Sequence, residues 1–257
     1  CAKLTANITV NSGVLKSDGT INSDNVSDFT AWIPIGYFNS SSDYACYNGT
    51  FDGNGKTISG LYLSNNTLSY MGLFGYSSGT IKNVGVVDSY FKGKDYVGGV
   101  CGAKYGAVEN CYSASTVSGT DGVGGVCGNN YDGILLNCYN TGAVIGTGYY
   151  IGGVCGILNS GKIENCYSTG TVSGTDAVGG VCGYNGYSTI SNCYFDSSKW
   201  DKNAVGLNNN GTVEKTEGKT TTQFASGEVA YLLQSGQTAD ENGVTPEVWG
   251  QTIGTED

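Results

Sequence analysis

Apolar positions in this chain come in short runs that recur in phase. Val97-Gly-Gly-Val-Cys101-Gly returns as Val123-Gly-Gly-Val-Cys127-Gly, Ile151-Gly-Gly-Val-Cys155-Gly and Val178-Gly-Gly-Val-Cys182-Gly. About ten residues after each comes Asn110-Cys111-Tyr112, Asn137-Cys138-Tyr139, Asn165-Cys166-Tyr167 or Asn192-Cys193-Tyr194. The spacing between copies is 26, 28 and 27 residues. A weaker copy precedes them, Met71-Gly-Leu-Phe74-Gly then Ile81-Lys-Asn83-Val84, in which Phe74 and Val84 stand where later copies have cysteine. Each unit predicts three short strands: Val-Gly-Gly-Val-Cys, then Ile/Val/Leu-x-Asn-Cys-Tyr-Ser, then Thr-Val-Ser-Gly.

No single unit of that size can bury a face, but stacked units can, each strand pairing with the same strand of the next coil. Coils then sit about 4.8 Å apart and equivalent residues form columns. The pattern predicts an all-β fold, a parallel β-helix or solenoid of ~27-residue coils with three short strands per coil. Within it, Asn83, Asn110, Asn137, Asn165 and Asn192 bond side chain to side chain or to turn backbone. The cysteines point inward, and Tyr112, Tyr139, Tyr167 and Tyr194, one residue on, point outward.

Outside the regular coils the pattern changes. Residues 1–70 read as N-terminal entry coils and a cap, with a polar loop at Asn39–Asp43; residues 71–196 are the regular coils; residues 197–257 are a C-terminal cap. Caps are expected because an open terminal coil exposes a sheet edge. Thr222–Gln234 is the one helix candidate: Phe224, Val229, Leu232 and Leu233 share a face, Ser226 is placed to cap it, and Glu228 lies near the positive end of its dipole. Trp249 and Ile253 suggest a last strand, with a short helix or no order over residues 235–257 as the alternatives. The first residue is Cys1 and the sequence stops abruptly at Asp257, which reads as a piece of a longer protein.

Composition narrows the function classes. Lys plus Arg number 12 against 22 Asp plus Glu, a net charge of −10, which argues against nucleic-acid binding. There is no histidine, which removes Ser-His-Asp and Cys-His nucleophile systems and the HExxH zinc site. Charged residues make up 13% and Gly 43 of 257, yet the apolar fraction of 39% is too regularly placed for disorder. No run of apolar residues is long enough to span a membrane.

The Gly-Leu-Phe-Gly and Gly-Gly-Val-Cys-Gly units resemble the GLUG motif of bacterial surface proteins. Thr50-Phe-Asp-Gly-Asn-Gly-Lys-Thr-Ile-Ser-Gly-Leu61 is similar to the segment that precedes such repeats, and Trp32-Ile-Pro-Ile-Gly36 and Lys3-Leu-Thr-Ala-Asn-Ile8 fit the same pattern. The resemblance covers most of residues 1–200. It implies a secreted or surface-attached bacterial protein, some relatives being associated with adhesion or with immunoglobulin proteases, and it carries over no catalytic residue.

Eight of the ten cysteines, Cys101, Cys127, Cys155, Cys182, Cys111, Cys138, Cys166 and Cys193, belong to the repeat. Three readings stand beside one another. Zinc binding lacks both CxxC spacing and histidine. A disulfide within each coil (101–111, 127–138, 155–166, 182–193) is suggested by the joint loss of both cysteines in the Phe74/Val84 unit. Free thiols acting as small core hydrophobes are suggested by the apolar nature of those same replacements. As disulfides or as free thiols alike, the cysteines are structural.

The column Tyr112, Tyr139, Tyr167, Tyr194 is the candidate binding surface, for sugar rings or a partner protein. Its alternative is plain cross-strand stacking. Further tyrosines sit near the coil corners, at Tyr96, Tyr105, Tyr131, Tyr150 and Tyr184. Asp95, Asp121 and Asp176 share a turn position that hints at calcium, but Tyr149 interrupts the column and Asp in turns bonds its own backbone. Asp52-Gly-Asn54-Gly opens like an EF-hand loop, yet Lys56 and Leu63 fall where ligands belong, so it is a turn. Glu109 and Glu164 lie two coils apart in a column that also holds Lys82, Leu136 and Ser191, which reads as a solvated face rather than a glycosidase pair.

The sequence therefore predicts a non-catalytic structural or adhesive solenoid module at the bacterial surface or outside the cell, monomeric, without cofactor or metal. Host glycans or surface proteins are its candidate partners. A dedicated glycan-binding module and a polysaccharide-acting β-helix enzyme are the alternatives.

Overall fold

A computed structural model describes residues 1–40, 42–240 and 243–250. The chain winds into a parallel β-solenoid of about six turns. Its strands form a 15-stranded sheet, a 6-stranded sheet and a 4-stranded sheet, in which coil-to-coil pairings are parallel and in register. One coil shows the plan: Asp95–Gly98 in the four-stranded sheet, Cys101–Lys104 in the six-stranded one, then Ala107–Glu109 and Tyr112–Gly119 in the 15-stranded one.

The interior is a set of apolar columns. Val97, Val123, Ile151 and Val178 are register partners, as are Ile81, Val108, Leu135, Ile163 and Ile190. Phe74, Cys101, Cys127, Cys155, Cys182 and Val205 make a third. The repeat cysteines are fully buried among them.

Val-Gly-Gly-Val-Cys is a corner rather than one strand. One strand ends at Gly124, the chain bends, and the next begins at Cys127. A Cβ at Gly124 would lie 2.1 Å from the Cys127 carbonyl oxygen and 2.6 Å from the Gly156 nitrogen, so only glycine lets consecutive coils approach here.

The second corner is made by the asparagine column. Asn83, Asn110, Asn137, Asn165 and Asn192 all have left-handed backbones, with φ from 51° to 56°. Asparagine tolerates that region better than most residues. Its amide also links coils: Asn83 donates to Asp52 Oδ1 (3.0 Å), Asn110 to Asn83 Oδ1 (3.1 Å), Asn137 to Asn110 Oδ1 (3.1 Å) and Asn192 to Asn165 Oδ1 (2.7 Å).

Stacking extends beyond the recognisable repeats. Thr50–Ser59 already pairs with Thr80–Lys92, and Ala2–Lys3 and Ile8–Thr9 add to its outer edge. At the other end Val205–Asn209 pairs with Cys182–Gly186 and Thr212–Lys219 with Thr189–Asp196, so the polar stretch after Trp200 supplies one more coil. Val205 and Thr216 stand there where cysteine stood before.

Tyr37–Ser40 and Asp43–Ala45 pair as an antiparallel hairpin whose aromatic residues pack on the coils. Two local expectations are corrected. The single helix is two: α1, Thr221–Ala225, and α2, Glu228–Ser235, separated at Gly227 (φ 81°). Thr220 caps α1 through a reciprocal bond with Gln223, and Ser226 ends α1 instead of starting a helix. Trp249 lies in irregular chain; Ile253 falls outside the described residues.

Candidate functional site

Side chains one residue past the inward thiols point away from the coil core, as strand alternation requires. Tyr112, Tyr139, Tyr167 and Tyr194 are register partners. The rings of Tyr112 and Tyr139 stack at 4.7 Å and 2°, those of Tyr139 and Tyr167 at 4.9 Å and 3°. At the upstream end Tyr112 lies over Gly85, where a Cβ would meet its ring at 2.2 Å.

This ladder is not free along its length. Tyr194 is 3% exposed and packs with Val229 and Leu233 of α2, its hydroxyl donating to Asn192 Oδ1 at 2.8 Å. Phe224 of α1 lies 5.7 Å from Tyr167, and Trp249 packs edge-on against Tyr167 (5.5 Å) and Tyr139 (6.1 Å). Gln237 donates to Asn137 Oδ1 at 2.9 Å, and Asn192 Nδ2 reaches the Leu232 carbonyl at 3.4 Å. The chain's own C-terminal segment thus occupies the column expected to face solvent. The helix signal was legible in Phe224, Val229, Leu232 and Leu233; its landing place was not, since nothing local pairs it with a column built from four coils.

A second aromatic face lies at the corner between the four-stranded and six-stranded sheets. Tyr70 and Tyr96 carry left-handed backbones (φ 65° and 57°) that turn their rings onto one another at 5.0 Å. Tyr76 packs on Tyr70 (6.1 Å) and Tyr105 (5.9 Å), and Tyr105 stacks on Tyr131 at 4.9 Å and 12°. Phe38 and Tyr44 of the hairpin close one side. Burial raises the pKa of Tyr76 and of Tyr131, and Tyr70 moves the same way for the same reason. Tyr105 and Tyr44 remain 43% and 52% exposed, so the cluster presents ring faces and edges to solvent. Tyr96, Tyr105 and Tyr131 were predicted near corners; Tyr70, Tyr76 and the hairpin rings were missed. Tyr150 and Tyr184 form a separate pair at 5.1 Å with Tyr149 beside them.

The polar columns take up local roles. Asp95, Asp121, Tyr149 and Asp176 share one column. Asp121 accepts from the Tyr149 backbone (2.6 Å) and Asp176 from that of Ala177 (2.7 Å). Lys82, Glu109, Leu136, Glu164, Ser191 and Glu214 share another, where Glu164 pairs with Lys162 at 2.6 Å. Asp52 accepts from the Asn54 backbone at 2.8 Å, an Asx turn. Among the described residues no group of three or more Cys, Asp or Glu is arranged to hold a metal. A groove of about 490 Å³ runs beside the loop Leu15–Gly19, lined on the coil side by Thr141, Gly142, Thr169 and Lys199. Asp88 fixes that loop by accepting from the backbone nitrogens of Gly13, Val14 and Leu15.

All ten cysteines are unpaired. Burial raises the pKa of the Cys101, Cys111, Cys138, Cys155 and Cys166 thiols well above the ordinary range; for Cys127 the hydrogen bond to Cys155 contributes first and burial second. Such thiols are poor nucleophiles, consistent with core packing. Beside Cys101 and Cys127 sits Lys104, fully buried, its ammonium donating to the Gly79 carbonyl. Burial lowers its pKa.

No helix among the described residues is long and apolar enough to cross a membrane. None of the curated proteins matches the chain. A crystal structure from Bacteroides ovatus, described as a "putative immunoglobulin A1 protease", has the same fold: TM-score 0.52 at 20% identity, over 95% of this chain and 84% of that one. Residues 147–173 and 174–199 each match the GLUG motif, so two consecutive coils of the solenoid are GLUG repeats.

Proposed function

We propose that the chain is a non-catalytic, monomeric module of a bacterial surface or secreted protein. It acts as a rigid spacer with an adhesive face, and that face is the tyrosine corner rather than the tyrosine ladder. One observation carries the reading: Tyr70, Tyr76, Tyr96, Tyr105 and Tyr131 form a continuous ring cluster left partly open to solvent, whereas α1, α2 and Trp249 pack on Tyr139, Tyr167 and Tyr194 of the ladder. Tyrosine supplies an apolar ring for the C–H face of a sugar and a hydroxyl for its polar rim. The net charge of −10 disfavours polyanionic ligands, so neutral glycans fit best. Glu164, one of the two carboxylates considered for catalysis, is engaged by Lys162.

The test is binding to an array of neutral and acidic glycans and host surface proteins. The wild type is compared with Tyr105→Ser/Tyr131→Ser and with Tyr112→Ser as an off-face control. Saturable binding to neutral glycans lost only in the double variant supports the corner. Binding that survives it refutes the corner, and a wild type that binds nothing leaves the spacer role alone.

A further inference from the structure

The two interior thiol columns form continuous ladders. Cys101, Cys127, Cys155 and Cys182 are direct register partners in adjacent parallel strands. Each thiol thus faces the next along the column, while Cys155 Sγ and Cys182 Sγ donate to the carbonyls of Ile157 (3.1 Å) and Tyr184 (3.2 Å) on their own strands. In the second column Cys111, Cys138, Cys166 and Cys193 follow one another from coil to coil, and the Cys138 backbone nitrogen donates to Cys166 Sγ at 3.3 Å. Neighbouring strands stand about 4.8 Å apart, inside the Cα–Cα range of roughly 4.4–6.8 Å that a disulfide spans. Within a coil the two thiols belong to different columns and turn to their own strands: Cys101 Sγ donates to the Ala103 carbonyl at 3.0 Å and Cys111 Sγ to the Glu109 carbonyl at 3.2 Å.

We propose that these ladders are sites of cross-coil oxidation, pairing Cys101 with Cys127, Cys155 with Cys182, Cys111 with Cys138 and Cys166 with Cys193. Each column holds four cysteines between non-thiol ends, Phe74 and Val205 in one, Val84 and Thr216 in the other, so this pairing leaves no thiol over. Each bridge forms by exchange with a small-molecule disulfide. One cysteine thiolate attacks it and expels one thiol; the second cysteine then attacks the mixed disulfide and expels the other. Two cysteine thiols are oxidised, one external disulfide is reduced to two thiols, and the protons pass to the released thiolates. Because the folded thiols are buried, the exchange belongs to folding or to an opened coil. The product is a solenoid stapled coil to coil, a different object from one with a loop closed inside each coil.

The full chain carrying Cys1→Ser and Cys46→Ser, to remove the two cysteines outside the ladders, is unfolded in reductant. It is then refolded in a buffer of reduced and oxidised glutathione. Remaining thiols are alkylated, and linked peptides are mapped by mass spectrometry, each bridge making the protein about 2 Da lighter. Links 101–127, 155–182, 111–138 and 166–193 are expected. Links within coils, or eight alkylated thiols in a chain with native circular dichroism, overturn the proposal. Cys127→Val, which places in the column the residue type found at Val205, separates the two arrangements even if bridging is incomplete. The cross-coil scheme frees Cys101, and an intra-coil scheme frees Cys138 and sinks the idea.

Discussion

Replacing Asn137 measures what holds the coil corners. Its backbone sits at φ 54° and its side chain, 7% exposed as a residue, makes two bonds: it donates to Asn110 Oδ1 at 3.1 Å and accepts from Gln237 Nε2 at 2.9 Å. Each such bond contributes about 1 kcal/mol net, so any replacement lacking the amide loses about 2 kcal/mol. Asn137→Gly keeps the left-handed backbone without strain and adds only about 0.5 kcal/mol through a freer unfolded chain. Asn137→Ala keeps the unfolded chain stiffer but carries the left-handed conformation at about 1–2 kcal/mol. The totals are about 2.5 kcal/mol for glycine and about 3–4 kcal/mol for alanine, alanine being the worse by about 1 kcal/mol. The assay is urea unfolding followed by far-UV circular dichroism, comparing midpoints at a common slope. If alanine matched or exceeded glycine, backbone conformation would not be what places asparagine there. If both were as stable as the wild type, the ladder bonds would contribute nothing.

Other perturbations follow from the same geometry. Lys104→Met removes a buried cation and raises stability at pH 7 by about 1–2 kcal/mol, read from the same urea midpoint; a loss of that size instead would mean the Gly79 bond outweighs the burial. The Lys104 pKa is lowered in the fold, so between that value and the unfolded one the unfolded chain binds more protons and stability rises with pH. The wild type therefore gains on Lys104→Met as pH climbs toward 10.5, and a constant difference would refute the assignment. Thr220→Ala removes the capping box of α1 and costs about 1 kcal/mol locally, seen as faster amide exchange in residues 221–225 with the coils unchanged. Glu214→Val with Glu217→Val strips charge from the last strand, Thr212–Lys219, and is expected to convert a monomer in light scattering into concentration-dependent oligomers.

The repeating columns were legible because each records one physical demand made once per coil. Gly124 and its equivalents mark the close approach, Asn137 and its equivalents the left-handed corner, and the cysteines a narrow core. What lay outside the sequence was contact between columns and non-repeating segments. The stretch after Trp200 reads as polar, yet Val205 meets Cys182 and Val213 meets Ile190, enough apolar register to continue the stack while its outer side chains stay charged. The covering of Tyr167 and Tyr194 could not be read from the ladder itself, since an outward tyrosine column has the same spacing whether it meets water or Phe224. Ser226 misled for a local reason: a serine before a glutamate resembles a helix start, but Thr220-Thr-Thr-Gln223 offers the complete reciprocal cap six residues earlier.

Breaks in a column carry information that the column does not. The chain of amide bonds runs from Asp52 through Asn83 and Asn110 to Asn137, and resumes from Asn192 to Asn165; at Asn137 the acceptor oxygen is taken by Gln237 of the C-terminal segment. The left-handed column Tyr70, Tyr96, Gly122, Tyr150, Ala177 changes at Gly122, where a Cβ would stand 2.8 Å from the Tyr96 ring, and there the aromatic corner divides from the Tyr150–Tyr184 pair. At Asn137 a bond that leaves the column, and at Gly122 a residue that leaves it, mark where something else packs. A stacked fold satisfies its backbone from coil to coil, so recognition and docking are left to side chains that leave the pattern. In this chain those departures lead to the docked C-terminal segment and to the edge of the tyrosine corner, the face proposed here for binding.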